Sequence, residues 1–182
     1  MKIQKITQLM AVCLIFSLAA CSISATKEET GDEAKNKEAI QKVNDAFNTG
    51  NTEGLENYVA ENMIEHQQDP MIKTTGLAGL KDMIKIFRGA YPDMKYTVLG
   101  TWAEGDVVIM HFNLKGTNSG AMGEMSPTNK SIDVNGVDIV RFENGKGVEH
   151  WGYMEEGKMM TQLGMMPSPG GTPADTTNMA SH

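Results

Sequence analysis

Two acid-bearing or imidazole-bearing positions stand out by their surroundings. Asp138 lies among Val134, Gly136, Val140 and Phe142, which alternation places on one face of a strand. An acid on an apolar face is either buried with a partner, such as an Arg, or catalytic. His66 ends the stretch from Tyr58 to His66. As a neutral imidazole it could donate to a carbonyl oxygen or act as a base. The other reading is a histidine satisfied by a backbone carbonyl at a pocket rim. Further along, Glu149, Trp151, Tyr153 and Glu155 alternate onto one strand face, and two aromatics beside a carboxylate could line a pocket or an interface. His150 then faces the other way, with Val148 and Met154. The chemistry open to such a set is general acid–base catalysis. It requires a dry pocket that raises a carboxyl toward neutrality and a donor aimed at the oxygen that gains charge.

Other chemistries are disfavoured. The 182 residues hold four histidines, at 66, 111, 150 and 182, none at helical ligand spacing from another, so no metal site is expected. There are two cysteines, Cys13 and Cys21, and both belong to the amino-terminal segment. Lys2 and Lys5 precede the apolar run from Leu9 to Ala20, the pattern of a secretory signal. Leu18-Ala19-Ala20-Cys21 resembles a bacterial lipobox, which implies cleavage before Cys21 and acylation of that residue. The alternative is an ordinary signal cut near Ala20, leaving Cys21 a free thiol. Ser22 after the cysteine resembles the outer-membrane sorting pattern of Gram-negative bacteria. The expectation is therefore an exported protein, anchored in the cell envelope and to the lipid bilayer by acylated Cys21. Its mature part has no thiol for a disulfide or a nucleophile.

Formal charge is −7 for the whole chain and −9 without the two signal lysines, with 14 basic residues against 23 acidic. A surface that must neutralise phosphates needs the opposite balance, so a nucleic-acid partner is not expected.

The elements that position the candidates read as follows. Residues 1–20 form the signal and 21–35 a solvated tether. Ala39, Ile40, Val43, Ala46 and Phe47 mark an apolar helical stripe that stops at Gly50. Thr52 can cap a second short helix with Leu55, Tyr58 and Val59 inside. Leu77, Leu80, Met83, Ile84 and Phe87 define a third. Lys95 to Trp102, Val107 to Leu114, Ser131 to Phe142 and Gly147 to Met154 are strand-like, and Asn144-Gly145 signals a hairpin. Met159 to Leu163 can add a last helical turn. Residues 36–166 form one domain, and 167–182 a Pro- and Gly-rich disordered tail. Helices followed by strands predict an α+β fold: about three helices on one face of a bent antiparallel sheet of about four strands, leaving a cone-shaped cavity. The Gly-rich loop from Ser119 to Pro127, with Met122 and Met125, is expected at the cavity mouth. An open sheet face could pair in a homodimer.

The local words resemble those of the SnoaL-like polyketide cyclases, or ester cyclases, of the nuclear transport factor 2-like fold. They are Tyr58 to His66, Gly76 to Lys81, Arg88 to Asp93, Lys115 to Gly120, Pro127 to Lys130, Gly136 to Phe142, Glu149-His150-Trp151 and Gln162-Leu163-Gly164, in that order. The resemblance implies a cofactor-free intramolecular aldol condensation on a small, largely apolar carbonyl or ester compound. It also places Glu155 where the family usually has an aspartate acid/base. Glu is longer by a C–C bond, and a misplacement of that order can cost about a hundredfold in rate. The neighbouring Glu156-Gly157 leaves a solvated Glu155 as the alternative. The implied set is Glu155 and Asp138 as acid/base, His66 as donor, and Trp151, Tyr153, His111 and Trp102 around the ligand. His111 falls where the family often has Arg. Trp102 reads as core or pocket wall, and Asn118 replaces a family histidine. A lipid-anchored binding module without chemistry is the alternative function.

Overall fold

Thr30 starts the first helix by reciprocal capping. Its Oγ1 accepts the Glu33 amide at 3.2 Å, and Glu33 Oε2 accepts the Thr30 amide at 2.8 Å. The computed structural model describes residues 30–167. The signal segment, Cys21 and residues 168–182 lie outside the described residues. Helix α1 spans Gly31–Thr49 and ends at Gly50, whose φ of 77° is the left-handed cap expected of it. Residues 31–35, expected to close the tether, instead form the helix's first turn. The cap, not the apolar stripe, sets the start, because the buried Glu33 carboxylate is taken up by the Thr30 and Gly105 amides. Glu33 Oε1 also accepts the Gly105 amide at 2.9 Å, fastening the helix to a strand turn.

The second helix expected after Thr52 is a single 3-10 turn, Leu55–Asn57. Strand β1, Val59–Glu65, follows immediately. The helical spacing of Leu55, Tyr58 and Val59 is therefore misleading. Leu55 lies in that turn, Tyr58 caps it and Val59 opens β1, so three apolar residues at helical spacing belong to two short elements.

Helix α2, Gly76–Ala90, comes next, then strands β2 (Lys95–Glu104), β3 (Val107–Thr117), β4 (Ser131–Glu143) and β5 (Lys146–Met154), and helix α3 (Glu156–Leu163). The sheet has five strands in the order β1-β5-β4-β3-β2. Strand β1 joins β5 in parallel and every other pairing is antiparallel, so the sheet is mixed. The fold is α+β with three helices on a curved, unclosed sheet. Asn144 and Gly145 take φ 52° and 76°, which makes the β4–β5 connection the tight hairpin that the pair signals.

The inward sheet face carries Val108, Met110, Phe112 and Leu114 from β3 and Ile132, Val134 and Phe142 from β4, packed under Ala39 and Ile40 of α1. Gly136 is required in this face. A Cβ there would lie 2.2 Å from Phe112 Cζ, so the ring crosses directly over the β4 backbone. That ring stacks on Tyr96 at 4.3 Å between centroids. Register shifts at Val98/Gly100 and Arg141/Phe142 bend the sheet around the space under the helices.

Candidate active site

A cavity of about 460 Å³ opens between the helices and the inward sheet face. Its walls are mostly apolar: Ile40 and Val43 from α1, Leu80, Met83 and Phe87 from α2, and Met110, Phe112 and Val140 from the sheet. Among the polar side chains against these walls, four come from four different strands: Glu65 on β1, Tyr96 on β2, Asp138 on β4 and His150 on β5.

The four form one connected group. Tyr96 Oη donates to Asp138 Oδ2 at 2.6 Å. His150 Nε2 lies 3.3 Å from Asp138 Oδ1, and His150 Nδ1 lies 2.5 Å from Glu65 Oε2. Burial alone would push the His150 imidazole down. The hydrogen bonds and charges of Asp138 and Glu65 outweigh it and hold His150 up to about 10. Burial likewise opposes the Glu65 carboxylate, yet its contact with His150 leaves that carboxyl below the usual range. Burial, reinforced by the charge of Asp138, drives the Tyr96 phenol well above its ordinary value. The group is therefore an imidazolium clamped between two carboxylates, with a neutral phenol bonded to one of them.

The arrangement sets a carboxylate acceptor beside an N–H donor, while the Glu65 carboxyl is lowered rather than raised toward neutrality. A carboxylate offers about four acceptor sites, and Asp138 uses one on each oxygen, so it keeps lone pairs for a substrate proton. The longer of the two His150 contacts, to Asp138, is the N–H that can be shared with an oxygen gaining charge. Glu65 fixes the ring through the shorter one.

The candidates read from sequence are divided by the sheet. Asp138 is in the cavity. Glu155 is not: it is exposed, Oε2 accepts the Asn135 amide at 2.8 Å and Lys158 Nζ at 2.9 Å, and these contacts lower its carboxyl. His66 is on the outward face, its ring stacked on Trp151 at 4.2 Å and 3°, with Nε2 2.9 Å from Glu149 Oε2. His111 and Trp102 share that outward register, opposite Val137 and Ile109. Trp102 is 57% exposed, so it is not core, and its ring lies over Gly100. Tyr153 pairs with Val137 and is 52% exposed, though it borders the cavity. Asn118 is a loop clamp, with Oδ1 accepting the Thr128 amide and hydroxyl and Nδ2 donating to the Gly120 carbonyl. The loop expected over the cavity mouth packs on the end of α2 through Gly120 N and Ala90 O, and none of its residues lines the cavity.

Sequence reasoning placed His150 on the face opposite Glu155 but assigned it no role, and missed Glu65 and Tyr96. The signal for His150 was present, because it alternates with Met154 as Asp138 alternates with Val140. Glu65 had no such signal, since its segment read as following a helix.

The fold and cavity define a nuclear transport factor 2-like α+β protein. The sequence profile of the SnoaL-like polyketide cyclases matches residues 37–163, and the chain belongs to that family. Among solved structures it resembles a candidate polyketide cyclase from Bacillus cereus at 25% identity and a TM-score of 0.63, covering 72% of this chain and 82% of that one. It also resembles IdmH from Streptomyces antibioticus, likewise described as a candidate polyketide cyclase, at 25% identity and TM-score 0.61, covering 71% and 98%. TsrD from Streptomyces laurentii shares the fold, at 20% identity and TM-score 0.67, covering 73% and 97%. No curated protein matches the chain.

Proposed function

We propose that this chain is a cofactor-free acid–base enzyme of the polyketide (ester) cyclase type, acting on a small, largely apolar carbonyl or ester compound. The observation that carries this reading is the Asp138–His150–Glu65 clamp, bonded to Tyr96, against the wall of an apolar cavity. Asp138 takes a proton from the carbon next to a carbonyl while the His150 N–H bonds the carbonyl oxygen. The resulting carbon nucleophile attacks a second carbonyl of the same molecule and closes a ring. Asp138 then returns its proton to the new alkoxide, so no atom is lost.

The first half of this reaction can be tested without the natural substrate. In D2O, 2-tetralone should lose its C1 proton signal faster with the protein than without it, and the acceleration should saturate with ketone concentration. Exchange at the buffer rate would remove the proposal.

The same proposal includes the envelope location, supported by the Leu18-Ala19-Ala20-Cys21 pattern. Acyl chains on Cys21 would hold the domain on the bilayer, since hydrophobic transfer grows with each buried CH2. Cys21→Ala should move the protein from the membrane to the soluble fraction and abolish labelling by a fatty-acid analogue. Persistence of both in the variant would refute the anchor.

We also propose a homodimer contact on the outward sheet face, where Ile64, Leu99, Trp102, Ile109 and Tyr153 are exposed together with the His66–Trp151 stack. Light scattering should report a dimer that Trp102→Glu converts to a monomer. A wild-type protein that stays monomeric at high concentration would exclude it.

A further inference from the structure

The lining of the cavity is unbalanced in charge. Among the described residues that line it are Glu65, Asp69, Asp138 and Glu156, against His150 alone, with no Lys or Arg. In the interior, the imidazolium of His150 compensates only one of the two carboxylates that clamp it. Asp69 and Glu156 add two acids on the lining, of which Glu156 is exposed. The lysine of the same loop, Lys73, is exposed, with Nζ 2.5 Å from the Pro70 carbonyl, and does not line the cavity. An uncompensated buried charge is costly, and the cost grows as water leaves an apolar space. An uncharged ligand would displace that water and leave the excess in place. An anion would add to it. A cation would offset the unmatched carboxylate of the clamp.

We propose that the cavity selects an apolar molecule bearing an amine, with its ammonium group held by the excess of carboxylates on the lining while its carbonyl end meets Asp138 and His150, and rejects the matching carboxylate. This rests on the reading of the cavity as the substrate site and narrows its substrate class to amine-bearing carbonyl compounds.

Three probes with one naphthyl body test it by titration calorimetry at pH 7: 2-(2-naphthyl)ethylamine, 2-(2-naphthyl)ethanol and 2-naphthylacetate. The amine should bind about tenfold tighter than the alcohol, and the acetate about tenfold weaker, as expected when charge complementarity sets selectivity. Asp138→Asn leaves Glu65 and His150 as a compensated pair, so the preference for the amine should fall to the two- to threefold that the rim acids supply, while the alcohol still binds. The rim variant Asp69→Asn/Glu156→Gln, which leaves the clamp intact, should reduce the preference about two- to threefold at low salt. An acetate that binds as well as the alcohol, an amine no tighter than the alcohol, or a preference unchanged in both variants would overturn the charge selection while leaving the cavity as a ligand site. Binding by none of the three would overturn the cavity reading itself, and the charge selection with it.

Discussion

Asp138→Asn is expected to lower the rate of proton exchange by about 10²- to 10⁴-fold, the range over which a positioned acid–base group acts. Asn has nearly the shape of Asp but cannot accept a proton at the working pH. The substitution also disturbs two contacts, since one amide oxygen replaces the two carboxylate oxygens that receive Tyr96 and His150. A stability cost of about 1–3 kcal/mol should therefore accompany the loss of rate. Rate and stability are separated by two controls. Glu155→Gln removes a carboxylate whose contacts lie at the exposed start of α3, and His66→Ala removes a ring from the outward face. The second should forfeit about 0.5–1.5 kcal/mol of aromatic stacking. Both should exchange 2-tetralone at close to the wild-type rate. Wild-type exchange by Asp138→Asn, or loss of exchange in Glu155→Gln, would move the acid/base away from the cavity.

The second large effect is a fall in stability on the alkaline side. His150 titrates at about 10 in the fold against 6.5 as a free side chain. A group whose folded value is raised contributes fully below its unfolded value and loses that contribution as pH climbs toward the folded one. Between pH 6.5 and 9 the unfolding free energy should thus decline by about 1.4 kcal/mol per pH unit, a few kcal/mol in total. Glu65, whose carboxyl is lowered, acts in the opposite sense: its contribution is present above the unfolded value of 4.5 and is lost as pH falls through the folded one. Denaturant titrations at a series of pH values measure the slope. His150→Gln should be less stable at neutral pH and flat from 6.5 to 9, because the group that titrates is gone. A flat profile in the wild type, or a slope that survives in His150→Gln, would show that His150 is not held as a cation.

How much of this was legible follows from the range of each interaction. The apolar stripe of α1, the Gly50 stop and the Asn144-Gly145 hairpin depend on neighbours within a few residues, and all are visible in the chain. Strand β1 was hidden because Leu55, Tyr58 and Val59, at a helix-like interval, straddle a 3-10 turn and the start of the strand. Its pairing with β5 joins residues more than eighty positions apart, as in Glu65 and His150. No local pattern reports a parallel partner at that distance.

The site divides in the same way. Alternation alone determined that Asp138 shares a face with Val140 and Phe142, and that His150 lies on the face opposite Trp151 and Tyr153; Glu155, expected on that strand too, lies beyond its end as the cap of α3. The ordered family words also determined the fold class. Alternation cannot say which face is inside. That depends on where the helices pack, and they cover the face of Asp138 and His150, leaving Trp102, His66 and Glu155 outside the cavity. Only the tertiary structure brought Glu65, Tyr96, Asp138 and His150 into contact. Their meeting is set by the register of four strands at once, and register is a property of the whole sheet.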